Sequence, residues 1–118
     1  MLFRSTYLDL VATGTTSQIM ALYADGAVLE DPVGTDPRTT AESIREFYAI
    51  IEPLESSTTL RTLKVSGSAA AFVFELTTTM GDTRVVVDVI EVLELDDDGL
   101  ITSMRAYWGP DDMTMTPV

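Results

Sequence analysis

Apolar residues in the first half of the chain recur at the three-to-four-residue spacing of a helix face. In the second half they alternate with polar ones, as strands require. Phe3, Tyr7, Leu10 and Val11 form one helical stripe, which Gly14 stops as a C-terminal cap. Thr15, Thr16 and Ser17 offer N-caps for a short second helix through Ile19 to Tyr23. Asp25-Gly26 predicts a turn, Ala27 to Asp31 a short strand stopped by Pro32, and Gly34, Asp36 and Pro37 a loop. Thr39 and Glu42 fit a capping box for a third helix, with Ile44, Phe47, Tyr48 and Ile51 on one stripe and Pro53 ending it. Strands are expected over Thr58–Val65, Ala69–Thr78, Arg84–Leu95 and Leu100–Trp108, with hairpin turns at Gly81-Asp82 and Asp98-Gly99.

Helices followed by an antiparallel meander predict an α+β fold, a curved sheet with helices on one face. No repeat or linker divides the 118 residues, so a single domain over residues 1–118 is expected. With 46% hydrophobic residues the chain can build a core. Seven Lys and Arg against 19 Asp and Glu give a net charge of -12, which disfavours nucleic acid and anionic membrane surfaces as partners. The absence of Cys and His removes disulfides, thiolate zinc sites and Ser-His-Asp triads, leaving proton chemistry to carboxylates, tyrosines, Lys or Arg. Arg4 and Asp9 interrupt the N-terminal apolar stretch, so no secretory signal is read, and the apolar run Ala69–Phe74 is far too short to span a membrane. A soluble cytoplasmic protein is the expectation.

Polar groups on apolar faces are the candidate chemistry. The odd positions of Arg84–Leu95 are Val85, Val87, Val89, Glu91, Leu93 and Leu95, which places one ionisable group on an apolar face. Buried there, Glu91 is cheaper as a neutral acid, a hydrogen-bond donor at pH 7. The alternatives are that this face is exposed, or that Glu91 pairs with Arg61 or Arg105. Tyr7 and Tyr48 lie on helical stripes and Tyr23 ends the second helix; they are either linked to a site or core tyrosines with unrelated bonds. Asp31, before Pro32, is a turn residue or a functional carboxylate. Asp96-Asp97-Asp98-Gly99 lacks the twelve-residue loop of a calcium site and reads as a solvated turn. Trp108 is core or part of a ligand wall.

The stretches Ala24–Arg38 (ADGAVLEDPVGTDPR), Ile44–Ala49 (IREFYA) and Ser103–Gly109 (SMRAYWG) closely resemble the bacterial ketosteroid isomerases. These belong to the nuclear-transport-factor-like superfamily of α+β cones. The resemblance runs from Tyr7 to Gly109, with a one-residue contraction between Tyr48 and Ala69. It implies a curved, antiparallel-rich mixed sheet with three helices from the N-terminal half forming a cone-shaped pocket. It also implies a cofactor-free and metal-free isomerase that converts β,γ-unsaturated 3-oxosteroids to conjugated enones, acting on a small apolar ketone as a homodimer. In that family a Tyr 24 positions before the catalytic Asp falls here on Tyr7, with Asp31 as the base. The family's neutral acid donor lies 12 positions before the Ser of the SMRA stretch and falls on Glu91. Tyr23 and Tyr48 match the supporting tyrosines, Trp108 the aromatic beside the base, and Phe47, Met104 and Trp108 the substrate wall.

Where the family usually carries Asp, this chain carries Glu91. The added methylene moves the carboxyl by about 1.5 Å on a fixed backbone. Displacements of ~1 Å can cost a hundredfold in rate. The expectation is therefore a pocket reshaped around Glu91, weaker activity, or a different ligand. Two other functions remain open: related acid-base chemistry on a non-steroid ketone, as in polyketide cyclisation, and a non-catalytic dimer that binds an apolar ligand.

Overall fold

A computed structural model of the protein describes residues 2–118, with side chains from Tyr7 onward. The side chain of Phe3, assigned above to the first helical stripe, lies outside the described residues. Helix α1 spans Leu2–Thr13, α2 Thr16–Met20 and α3 Ala41–Ile51. The strands are β1 Tyr23–Glu30, β2 Glu55–Ser66, β3 Ala69–Met80, β4 Thr83–Leu95, β5 Ile101–Tyr107 and β6 Met113–Pro117. They form one curved, unclosed sheet in the order β1-β5-β4-β3-β2, with β6 also on β4. β1 runs parallel to β5 and the remaining pairs are antiparallel, so the expected antiparallel-rich mixed sheet is found.

Helices and sheet share one core. Tyr7, Leu8, Ile19, Ile44 and Tyr48 from the helices meet Phe72, Phe74, Val89, Leu93, Ile101 and Met104 from the strands, all buried. At roughly 1.5–3 kcal/mol for each fully buried large apolar side chain, this cluster is the main favourable contribution to folding. Glu52, just past α3, accepts from the Thr16 backbone N–H and hydroxyl at 2.7 and 2.6 Å, tying α3 to the start of α2.

Local expectations shift where tertiary pairing overrides them. The α3 capping box uses Thr40 and Ser43, one residue later than Thr39 and Glu42: the Ser43 N–H donates to Thr40 Oγ1 at 3.1 Å, and Thr40 N–H donates back to Ser43 Oγ at 3.2 Å. Helix α2 stops at Met20, and Tyr23 opens β1. Asp25-Gly26 is no turn but an irregular part of β1, whose pairing with β5 shifts between Tyr23 and Val28 while Gly26 takes φ +77°. Asp31 consequently sits one residue beyond the strand. The sequence reading missed β6, although Met113-Thr-Met-Thr alternates as a strand should.

β4 changes partner along its length. Ile90–Leu95 pairs with β5, and Thr83–Val87 pairs with β6. Trp108 leaves the ladder at this seam, followed by a short 3₁₀ turn at Pro110–Asp112.

Gly14 is required for close approach. A Cβ there would lie 2.7–2.9 Å from Leu10 atoms, including backbone, while its N–H donates to the Leu10 carbonyl at 2.7 Å. Gly14→Ala should therefore destabilise the fold by roughly 1–3 kcal/mol, as overpacking does; thermal denaturation equal to the parent's would contradict this.

Candidate active site

The helices close one end of the curved sheet and leave a cavity of about 210 Å³. Its wall comes from Val11 of α1, Phe47 and Ile51 of α3, Phe74 and Leu76 of β3, Val87 and Val89 of β4, Met104 of β5, and Trp108. Four oxygen-bearing side chains join them: Tyr7, Asp31, Tyr48 and Glu91. Residues from α1, α3, β3, β4 and β5, with Asp31 just past β1 and Trp108 just past β5, thus line one cavity. The even-numbered positions of β3 and the odd-numbered positions of β4 face this interior, as alternation along each strand dictates.

Glu91 is 3% exposed, and its Oε1 has no hydrogen-bond partner among the described residues. The two arginines considered as ion-pair partners are engaged elsewhere: Arg61 with Glu75 at 2.8 Å and Arg105 with Glu30 at 3.2 Å. Burial pushes the Glu91 carboxyl up to about 8; a hydrogen bond with Tyr7 works against this shift, and the charge of Asp31 adds to it. At neutral pH the group is a protonated acid, hence a donor.

Asp31 precedes Pro32 across a cis peptide bond, and its carboxylate is held by the indole of Trp108, whose Nε1–H donates to Oδ1 at 2.7 Å. Burial raises its affinity for a proton, and the Trp108 hydrogen bond partly offsets that. Two carboxyls beside one apolar cavity thus face different surroundings, and such pairs separate into an acceptor and a donor.

The tyrosines form a connected group. Tyr48 OH lies 2.6 Å from Tyr23 OH and 3.3 Å from Tyr7 OH. Burial holds all three hydroxyls above their ordinary range, so they remain protonated at any working pH. Tyr23 does not line the cavity; it reaches Tyr48 from behind. Phe47 packs edge-on against Tyr48, with the Arg38 guanidinium 5.5 Å from its ring centre. Of the wall residues, Val11 and Ile51 were read only as members of helical stripes, and Phe74 and Leu76 were not assigned to a site, although the same apolar periodicities carry them.

Among the described residues no three Asp or Glu side chains gather closely enough to hold a metal ion. The Asp96 carboxylate accepts from the N–H groups of Asp98 and Leu100, both at 2.9 Å, which makes that acidic run a hairpin turn. No helix among these residues is long and apolar enough to cross a membrane.

A family profile described as SnoaL-like domain matches residues 5–104. A steroid delta-isomerase of Nocardioides simplex is 48% identical over 111 residues, covering 94% of this chain and 90% of that protein. The crystal structure of Δ5-3-ketosteroid isomerase from Mycobacterium sp. superposes with a TM-score of 0.87 at 28% identity, covering 96% of this chain and 95% of the other. SalBIII, an epoxide hydrolase/cyclase-like enzyme with a role in pyran ring formation in the polyether salinomycin, superposes at 0.91 with 26% identity, covering 98% and 94%.

The raised Glu91 value has a stability consequence. In the unfolded chain a glutamate loses its proton near 4.5, whereas in the fold it does so near 8. The folded state therefore binds an extra proton between these values, and its stability should fall as pH rises through that window, then level off. Glu91→Gln should remove this slope and melt higher than the parent at pH 8. Parallel melting curves from pH 5 to 8 for the two proteins would contradict a buried neutral Glu91.

Proposed function

The chain belongs to the SnoaL-like domain family and, by its kinship to a steroid delta-isomerase, is an isomerase; we propose that it shifts the double bond of β,γ-unsaturated 3-oxosteroids into conjugation. The observation that carries this reading is the pairing of a Trp108-held Asp31 carboxylate with an orphaned, buried Glu91 oxygen across one apolar cavity.

In this mechanism Asp31 acts as the general base. It takes a proton from the carbon between carbonyl and double bond, leaving a dienolate and a neutral Asp31. The same carboxyl then returns the proton to the far end of the dienolate, giving the conjugated enone and restoring the carboxylate. One group serves both steps, so the cycle closes without a second proton carrier. Negative charge gathers on the carbonyl oxygen in between. Tyr7 and neutral Glu91 donate hydrogen bonds to it, in surroundings where preorganised donors count for more than in water. Tyr48, backed by Tyr23, orients the Tyr7 hydroxyl. Phe47, Met104 and Trp108 bind the apolar skeleton and exclude water. That Glu91 lines the cavity with one carboxyl oxygen unpartnered among the described residues supports this role for the longer side chain.

Similarity to SalBIII favours a second reading, the same acid-base pair acting on a substrate that is not a steroid. A spectrophotometric assay for conjugated enone from an unconjugated 3-oxosteroid separates the two.

The outward face of the sheet presents Val73, Ile90, Val92 and Tyr107 at its centre, with Ile90 49% and Tyr107 39% exposed. Arg61 and Arg105 lie among acidic residues on the same face, so a second copy offers complementary charges. We assign this face to a homodimer; sedimentation as a monomer at micromolar concentration would overturn that assignment.

Asp31→Asn should lower turnover by roughly 10²- to 10⁴-fold, the usual contribution of a positioned general base, while a phenolic enolate mimic still binds. Undiminished turnover would exclude Asp31 as the base. In the parent, kcat/KM should rise as Asp31 ionises and fall above pH about 8 as Glu91 loses its proton and repels the enolate. Glu91→Gln should abolish that alkaline fall; an unchanged limb would assign it to another group.

A further inference from the structure

Two residues of the motif stretches take no part in the chemistry above. Glu30 precedes the proposed base, and Arg105 lies in the strand beside it. They are register partners across β1 and β5. Arg105 Nε–H donates to Glu30 Oε1 at 3.2 Å. The other oxygen, Oε2, accepts the Gly34 backbone N–H, also at 3.2 Å. One carboxylate therefore bridges from a sheet strand to the far side of the turn that carries Asp31.

That turn is short and anchored at few points. Val33 N–H donates to the Ala106 carbonyl at 2.8 Å, and Thr35 N–H to the Pro32 carbonyl at 3.1 Å. The bonds from Leu29 to Arg38 close its base, at 2.9 and 2.7 Å. Gly34 itself takes φ +107°, a conformation that leaves its N–H turned back toward Glu30. The Glu30 side chain is 18% exposed against 46% for Arg105, so the acceptor is the more sheltered partner. As a stability element a half-exposed ion pair contributes little. As a geometric element it fixes both ends of the turn, and the Asp31 carboxylate lies between them.

We infer that Glu30 is a positioning residue for Asp31, holding the base in register with the cavity by tethering Gly34 to the β1–β5 ladder. This rests on Asp31 being the base. Arg105 orients Glu30 from the neighbouring strand.

The test uses three substitutions of the full chain: Glu30→Ala, Glu30→Asp and Glu30→Gln. Glu30→Ala removes the tether. Glu30→Asp keeps the charge but retracts the oxygens by about one bond length, ~1.5 Å, out of reach of Gly34; it also serves if the alanine variant does not fold. Glu30→Gln keeps the reach and one acceptor oxygen. Turnover of an unconjugated 3-oxosteroid should drop on the order of tenfold or more in the first two, the effect of a misplaced reacting group. KM and binding of a phenolic enolate mimic should stay within about twofold, and Glu30→Gln should recover most of the rate. A second readout is independent of turnover. The chain has one tryptophan, Trp108, and its indole donates to Asp31, so its fluorescence against pH follows the Asp31 carboxyl. The midpoint should shift in the alanine and aspartate variants and overlay the parent's in the glutamine variant. Parent-like kcat and an unshifted titration in Glu30→Asp would overturn the inference, as would equal losses in all three or a loss confined to KM. If the parent itself does not isomerise the steroid, the proposed function fails, and the fluorescence titrations still decide whether Glu30 holds Asp31.

Discussion

A carboxylic acid stripped of water is the constraint around which this fold is arranged. Glu91 lies between Val89 and Leu93 on a strand whose inward side is otherwise apolar. An ionised carboxylate there would cost several kcal/mol in lost hydration, and among the described residues no cation pairs with it: Arg61 and Arg105 face outward and are occupied. The group keeps its proton instead. Among the described residues the helices bring the hydroxyls of Tyr7 and Tyr48 to the same cavity, and the second carboxyl there, Asp31, is held by a neutral indole. The described lining therefore sets hydroxyl and indole dipoles beside its two carboxyls.

Most of the fold is legible in residue order. The α3 stripe and the period-2 alternation of β3 and β4 survive in the structure because local preference and core burial agree there. Disagreements cluster where pairing decides. Asp25-Gly26 has the composition of a turn, yet β1 continues through it because β5 supplies a parallel partner; a parallel partner distant in sequence leaves no local trace. Thr39 and Thr40 are equivalent as caps on paper, and the choice falls to Thr40 because Ser43 returns the bond. β6 carried a strand pattern, but its place depends on the length of β4 left open after β5 ends.

The site divides in the same way. The burial of Glu91 follows from alternation alone once the odd face of β4 is inward, and the connection of Tyr7, Tyr23 and Tyr48 does not, because it depends on how three elements pack. The hydrogen bond between Trp108 and Asp31 joins residues 77 positions apart and has no local signature. Glu30 and Arg105 were visible as members of motif stretches, while their mutual contact appears only when β1 and β5 lie side by side.

The seam between β5 and β6 separates two duties that most strand residues must share. A residue inside a ladder supports the sheet with its backbone and lines a cavity with its side chain, so its mutational freedom is limited by both. Trp108 stands outside either ladder, where β4 passes from one partner to the other. Change at this position alters the neighbour of the Asp31 carboxylate without disturbing strand register. Across descendants of such a scaffold, the strength of the carboxylate as a proton acceptor can be retuned by one side chain while the architecture is inherited unchanged.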